Sequence, residues 1–282
     1  MVGWGLVLLL VVLNIGICVV LIQPKASHAL SVSFLNVGQG DSIFIQGPTG
    51  IQVLVDGGPD RSAVRELPLL MGPLDRSINL IVETHPDKDH ISGLADVLEQ
   101  YSVDAFMSPG AKNDTNVFGR LMSDVESEPG IVTYTARAGM RIDLGDGAYA
   151  DVLYPDKDVS NIKVTNDASI VLHVVYGDTS FMLTGDLPST IEDQLVRALS
   201  PLELKSTVLK AGHHGSKYST DALWLRAVSP ATVVISAGKG NTYGHPSPEA
   251  LARIQTQGSE IVSTMESGTI TYVSNGTRVW HK

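Results

Sequence analysis

Thr84-His85-Pro86-Asp87-Lys88-Asp89-His90 places two histidines and two carboxylates within six positions. The apolar run Leu80-Ile81-Val82 precedes it, and Leu94, Val97 and Leu98 follow at helical spacing. This pattern predicts a buried strand ending in a loop, with the loop feeding a helix. Strand ends in layered α/β folds collect functional sites. Carboxylate oxygens and imidazole nitrogens suit divalent cations. One short loop does not wrap four such ligands comfortably around one ion. The spacing suits two ions better, with His85 and Asp87 facing one and Asp89 and His90 the other. A loop of this composition is also a common solvated turn. The weight shifts because other segments supply further ligands, each after an apolar run.

On the N-terminal side, Val32, Phe34 and Leu35 lead into Asn36-Val37-Gly38-Gln39-Gly40-Asp41. Ile43-Phe44-Ile45, a Gly47-Pro48-Thr49-Gly50 turn and Val53-Leu54-Val55-Asp56 follow, which is a meander signal. Asp56, at a strand end, either hydrogen-bonds a metal-binding histidine or caps the next helix. Asp41 is a second candidate for such a supporting role. A helical pattern at residues 61–71 completes this side; on the C-terminal side, helical patterns fall at 91–100 and 113–126, and strand patterns at 103–107, 131–135, 140–143 and 149–154. A strand at 170–175 carries His173, a packed, hydrogen-bonded histidine with no assigned role. Phe181-Met182-Leu183 ends at Thr184-Gly185-Asp186. Asp186 either bridges two ions or caps the helix near 188–198. Thr207-Val208-Leu209 runs into Lys210-Ala211-Gly212-His213-His214-Gly215-Ser216, and Val233-Val234-Ile235-Ser236 leads to Tyr243-Gly244-His245-Pro246. A helix near 247–257 and strands at 260–264, 268–273 and 277–281 close the chain. Strands alternate with helices in two halves, near 31–155 and 169–282, each carrying part of the site. The expected class is α/β: two packed sheets with helices outside, an αββα sandwich with the site along one edge.

Composition narrows the function. A formal net charge of −10 argues against a tight, nonspecific grip on nucleic acid through clustered Lys and Arg, but it leaves room for metal ions to neutralise phosphate locally. Cys18 is the one cysteine, so neither a disulfide framework nor a thiolate metal site is available. Residues Gly3 to Ile22 are almost wholly apolar, the length of a membrane-crossing helix. The expected organisation is a transmembrane anchor or signal segment over 1–29 and a hydrolase domain over 30–282. Ser27-His28-Ala29 resembles a signal cleavage site, and a cleaved, secreted form is the alternative. Lys25 alone favours a cytoplasmic flank.

His85-x-Asp87-x-Asp89-His90 resembles the His-x-His-x-Asp-His loop of the metallo-β-lactamase superfamily, and Gly185-Asp186 resembles its bridging-aspartate motif. With Asn36-Val37-Gly38-Gln39-Gly40-Asp41, Gly212-His213-His214-Gly215-Ser216 and Tyr243-Gly244-His245-Pro246, the chain is similar to one branch, the hydrolase domain of the ComEC/Rec2 DNA-uptake proteins. The resemblance covers most of residues 31–282. It implies a metal-dependent hydrolase, an extracytoplasmic domain on a membrane anchor, and DNA or another nucleic acid as substrate. The superfamily's third histidine is missing; Asn166, Asp167 and Ser169 stand there. One ion is then left with His85, Asp87 and Asp186, and the other with Asp89, His90, Asp186 and one histidine of the 213–214 pair, His214 being favoured. Ligation rich in oxygen makes Mn²⁺ as plausible as Zn²⁺.

The expected chemistry is phosphoester hydrolysis by a water activated between two divalent ions. Asp89 would orient that water. His213, His245, Lys210 and Ser216 would face the substrate phosphate, with a histidine protonating the leaving group. The rivals are hydrolysis of another phosphodiester, a lactone or a β-lactam on the same scaffold, and a non-catalytic, metal-stabilised module at the membrane. The protein partner is unknown.

Overall fold

The computed structural model describes residues 28–72 and 74–282. The apolar segment expected to cross a membrane lies outside the described residues. Among the described residues no helix is long and apolar enough to span a bilayer.

Fifteen strands among these residues form two sheets. The first contains β1 (Leu30–Phe34), β2 (Ile43–Gln46), β3 (Gln52–Val55), β4 (Ser77–Val82), β5 (Ser102–Ser108) and β6 (Val132–Thr135). The second contains β7 (Arg141–Gly145), β8 (Ala148–Tyr154), β9 (Val171–Tyr176), β10 (Thr179–Leu183), β11 (Val208–Lys210), β12 (Thr232–Ile235) and β13 (Glu260–Ser263). Strands β14 (Ile270–Ser274) and β15 (Val279–His281) return to the first sheet, giving the orders β15-β14-β1-β2-β3-β4-β5-β6 and β13-β12-β11-β10-β9-β8-β7. The sheets therefore do not follow the two sequence halves: residues 141–154 belong to the second sheet, and the last two strands to the first. Pairing sets this exchange, because β14 lies antiparallel to β1 with Leu30 opposite Ser274.

Each sheet is antiparallel on one side and parallel on the other. Strands β3 to β6 and β10 to β13 run parallel. Helices α1 (Ser62–Leu70), α2 (Lys88–Leu98) and α3 (Asn116–Ser127) cover the first sheet, and α4 (Ser189–Ala198), α5 (Pro201–Leu204), α6 (Ala222–Val228) and α7 (Pro248–Gln257) cover the second. The short α5 and α6 had no expectation from sequence. Alternation along the strands sorts the side chains into layers. Ile43, Ile45, Val53 and Val55 meet Phe181, Leu183 and Val234 between the sheets, while Phe44 and Leu54 face the helices. Burial on both faces explains why these strands read as unbroken apolar runs. The result is the expected αββα sandwich.

Carboxyl ends of parallel strands gather at one edge, where β3, β4, β10, β11 and β12 each deliver a loop. Helix α2 begins at Lys88, three residues before the expected start at 91, so Asp89 and His90 lie on its first turn rather than in a loop. That turn is docked backbone to backbone: Gly57 N–H donates to His90 O and Gly93 N–H to Gly58 O. A β-carbon at Gly93 would overlap the carbonyl oxygens of Gly57 and Asp60. Gly93→Ala is expected to lower unfolding free energy by about 1–3 kcal/mol, the usual cost of overpacking. Urea denaturation checks it, and a variant as stable as the parent would show that α2 is not seated on this turn.

Candidate metal centre

Asp56 follows β3 in a left-handed backbone conformation (φ 58°), which aspartate tolerates better than bulkier residues. Its Oδ1 accepts the Thr84 N–H at 2.8 Å. Its Oδ2 accepts the Thr84 hydroxyl at 2.7 Å and the His90 Nδ1–H at 2.8 Å. Since the Thr84 hydrogen goes to Asp56, Thr84 Oγ1 accepts from His85 Nδ1, 2.9 Å away. His214 Nδ1 donates to Ser236 O at 3.0 Å. A carboxylate and a carbonyl only accept, so each of these three rings commits Nδ1 as donor and leaves Nε2 as the free atom. Asp56 thus bonds a histidine and does not cap α1, whose cap position is Arg61.

Those free Nε2 atoms converge. His90 Nε2 stands 3.3 Å from Asp186 Oδ1. His214 Nε2 lies 3.5 Å from Asp186 Oδ2 and 3.5 Å from Asp89 Oδ2. The Nε2 atoms of His85, His90 and His214 and Oδ1 of Asp186 are buried without a hydrogen-bond partner. Unpaired buried polar atoms are costly, and a cluster of them facing one another calls for a cation. Ligands about 2.0–2.1 Å from a tetrahedral ion stand about 3.3–3.4 Å apart, close to the spacings here. Among the described residues four groups of three possible ligand atoms lie within 4.8 Å of one another; two of them include Asp41, and the other two are His85/His90/Asp186 and Asp89/His90/His214. The donor set fits a divalent metal ion. Asp186 points into the cluster and caps nothing; the cap position of α4 is Pro188.

The electrostatics agree. Burial opposes charging His90, but the Asp186 and Asp56 carboxylates outweigh it and hold its pKa well above the usual imidazole value. Burial likewise opposes His214, and Asp186 with Asp41 pushes it up to about 9. His85 goes the other way, down to about 3, through burial and the nearby His90 charge. Asp186 is held well below the carboxylate range despite its burial, chiefly by His214 and His90. Protons and metal ions therefore compete for the same Nε2 atoms.

Several sequence expectations need correction. Lys210 is fully buried, its ammonium paired with Asp41 and donating to Gly185 O at 3.2 Å, so it presents nothing to substrate. It follows from position: Lys210 ends β11, a strand buried throughout. Ser216 is also buried, and its hydroxyl oxygen accepts the Tyr218 N–H within its own turn. Asp87 is pulled aside, its Oδ1 accepting the Thr165 hydroxyl at 2.6 Å. Its Oδ2 lies 3.7 Å from His85 Nε2, but Asp87 joins none of these groups of three. His90 is common to the two groups without Asp41, and an imidazole nitrogen with one lone pair serves one ion at a time. Asp41 faces His214 Nδ1 at 3.5 Å, behind the ring.

The histidine pair separates by burial. His213 and His214 both have left-handed φ values, 48° and 54°, and their rings diverge. His214 is buried among carboxylates, whereas the His213 side chain keeps a third of its surface exposed, with Nε2 3.5 Å from Asp186 Oδ2. Asn166 Nδ2 donates to His213 Nδ1 at 3.2 Å, which puts the His213 hydrogen on Nε2. His245 lies farther out, its ring 5.5 Å from that of His213. Thr84 and Ser236 thus fix the ring nitrogens of His85 and His214, Thr165 draws Asp87 aside, and Asn166 fixes the hydrogen of His213. Only Asn166 stood out in the sequence, and then as a missing histidine. A cavity of about 920 Å³ lies elsewhere, beside His173, Asp151 and Lys205, and no residue of the metal centre lines it.

Among curated proteins, ComE operon protein 3 of Bacillus subtilis is 29% identical over 279 residues, covering 91% of this chain and 35% of that protein. Competence protein ComA of Neisseria gonorrhoeae is 28% identical over 253 residues, covering 89% and 33%. The chain thus spans about a third of the length of these relatives. The fold is shared with Igni18, a metallo hydrolase from the archaeon Ignicoccus hospitalis, at a TM-score of 0.52 and 17% identity over 86% of this chain and 98% of that one. At that identity the likeness establishes the fold alone. Residues 35–239 match the model of the metallo-beta-lactamase superfamily. With that match over more than half of its length and the buried His/Asp cluster at its centre, the chain belongs to the metallo-beta-lactamase superfamily as a metal-dependent hydrolase.

Proposed function

We propose that the chain hydrolyses phosphodiester bonds, with nucleic acid as the substrate. The observation that carries this reading is the pairing of a buried ligand cluster with a hydrogen-bond donor on a partly exposed side chain, His213 Nε2–H, beside Asp186. Similarity to a competence protein supports nucleic acid over other phosphodiesters.

Asp89, His90, His214 and Asp186 would hold one divalent ion, Mn²⁺ or Zn²⁺. His85, which also faces Asp186, would help to hold a second more weakly. A divalent ion supplies Lewis acidity and lowers the pKa of water towards neutrality. Asp89, a third of whose side chain is exposed, accepts a hydrogen bond from the attacking water and orients it. His213 Nε2–H donates to a phosphate oxygen, where negative charge builds up. Asn166 keeps that hydrogen on Nε2. His245, outside His213, would protonate the leaving oxygen.

A matrix of metals against substrates tests the reading. Manganese-dependent cleavage of bis-p-nitrophenyl phosphate and of plasmid DNA is expected, without nitrocefin turnover; nitrocefin turnover alone would overturn it. Asp89→Ala is expected to cut phosphodiesterase activity by about 100-fold or more with little change in melting temperature, since the residue is partly exposed. Near-normal turnover would remove Asp89 from the mechanism. Asp56→Asn is expected to weaken Mn²⁺ or Zn²⁺ binding about 10- to 100-fold, the usual effect of losing a partner that orients ligating histidines. Calorimetric titration reads this directly, and an unchanged Kd would mean that the histidines hold their orientation without the carboxylate.

A further inference from the structure

A ladder of rings leads from the metal centre to solvent. The His213 ring stands 6.1 Å from that of His214, and the His245 ring 5.5 Å from that of His213, both edge to face. Tyr243 then stacks on His245 at 6.0 Å, with the ring planes 26° apart. Tyr243 is 69% exposed, so one face rests on His245 and much of the ring remains free for another planar group. No core packing accounts for an aromatic residue there.

The loop that presents these rings is built to be stiff. Asn241 Oδ1 accepts the backbone N–H groups of Tyr243 and His245, both at 3.1 Å. Asn241 Nδ2 donates to the carbonyls of Gly238 and His245. Gly238 N–H is in turn tied to Gln39 Oε1 at 3.1 Å, which anchors the loop to the opposite sheet. A platform held in place loses little freedom on binding. The chain's net charge of −10 makes a different demand. It argues against a general cationic grip on a phosphate backbone, so stacking on the faces of the bases supplies affinity that clustered Lys and Arg do not.

We propose that Tyr243 and His245 form a stacking platform for an unpaired nucleobase next to the bond cleaved at the metal centre. The proposal rests on the nucleic-acid reading above and gives the site a preference for single strands, since a base inside a duplex has no free face to offer.

The test compares the full chain with Tyr243→Ala and Tyr243→Phe. The probes are a fluorescein-labelled 12-nucleotide single strand, its blunt duplex, and a strand of the same length with abasic residues. Anisotropy reads Kd and gel analysis reads cleavage, as separate measurements. Tyr243→Ala is expected to raise Kd for the single strand about tenfold and to leave the abasic strand unchanged, with Tyr243→Phe retaining binding through its ring. The wild type is expected to bind the single strand more tightly than the duplex. An alanine variant within twofold of wild type, an equal loss on the abasic strand, or no binding by the wild type would overturn the platform. A strand bound through Tyr243 but left uncut would uphold the platform and sink the hydrolase reading. A strand cut with no dependence on Tyr243 would do the reverse.

Discussion

The carboxylate of Asp56 fixes the metal centre. It takes hydrogen bonds from Thr84 and His90, and through the Thr84 hydroxyl it also sets His85. One group therefore decides which nitrogen of two different rings is free. Without it, each imidazole could present either nitrogen, and the convergence on Asp186 would be one arrangement among several. Asp56 is fully buried, so its interactions are not diluted by water. Burial raises its pKa above the usual carboxylate value, and the His90 charge works in the opposite direction without cancelling it.

The fold makes that arrangement possible by changing strand direction midway across each sheet. The antiparallel sides close the sandwich. The parallel sides send the ends of β3, β4, β10, β11 and β12 to the same edge, and each contributes a group: Asp56, His85, Asp186, His214 and the Ser236 carbonyl. No two of these lie on the same loop, so the centre needs both sheets in register. The core between the sheets, from Phe34 to Phe181, holds that register. The buried Lys210–Asp41 pair adds a fixed charge contact behind the histidines.

Much of this was legible in the sequence. Apolar runs ending in His, Asp or Gly-His-His marked the strand ends and named the ligating residue types. The layered class followed from alternation of strands and helices. What could not be read was direction. Lys210 next to a histidine motif looks like a phosphate-binding lysine, but strand alternation and Asp41 turn it inward. Ser216 is buried for a different reason: its hydroxyl oxygen is taken by the Tyr218 N–H of its own turn. Asp87 occupies a ligand position by spacing, yet Thr165, far away in the chain, takes one of its oxygens. The start of α2 at Lys88 was hidden because Pro86 and the charged residues after it read as a loop. The exchange of strands between sheets depends on the pairing of β1 with β14, which no local pattern reports.

The left-handed conformation at His213 and His214 has a further meaning. Glycine would adopt it without steric cost, whereas two consecutive imidazole-bearing residues hold it only because the surrounding structure insists. The pair is therefore a place where the chain gives up conformational ease for chemistry. Glycine at position 213 would relax the backbone and delete the imidazole beside Asp186 together, so backbone ease and the ring cluster pull this position in opposite directions.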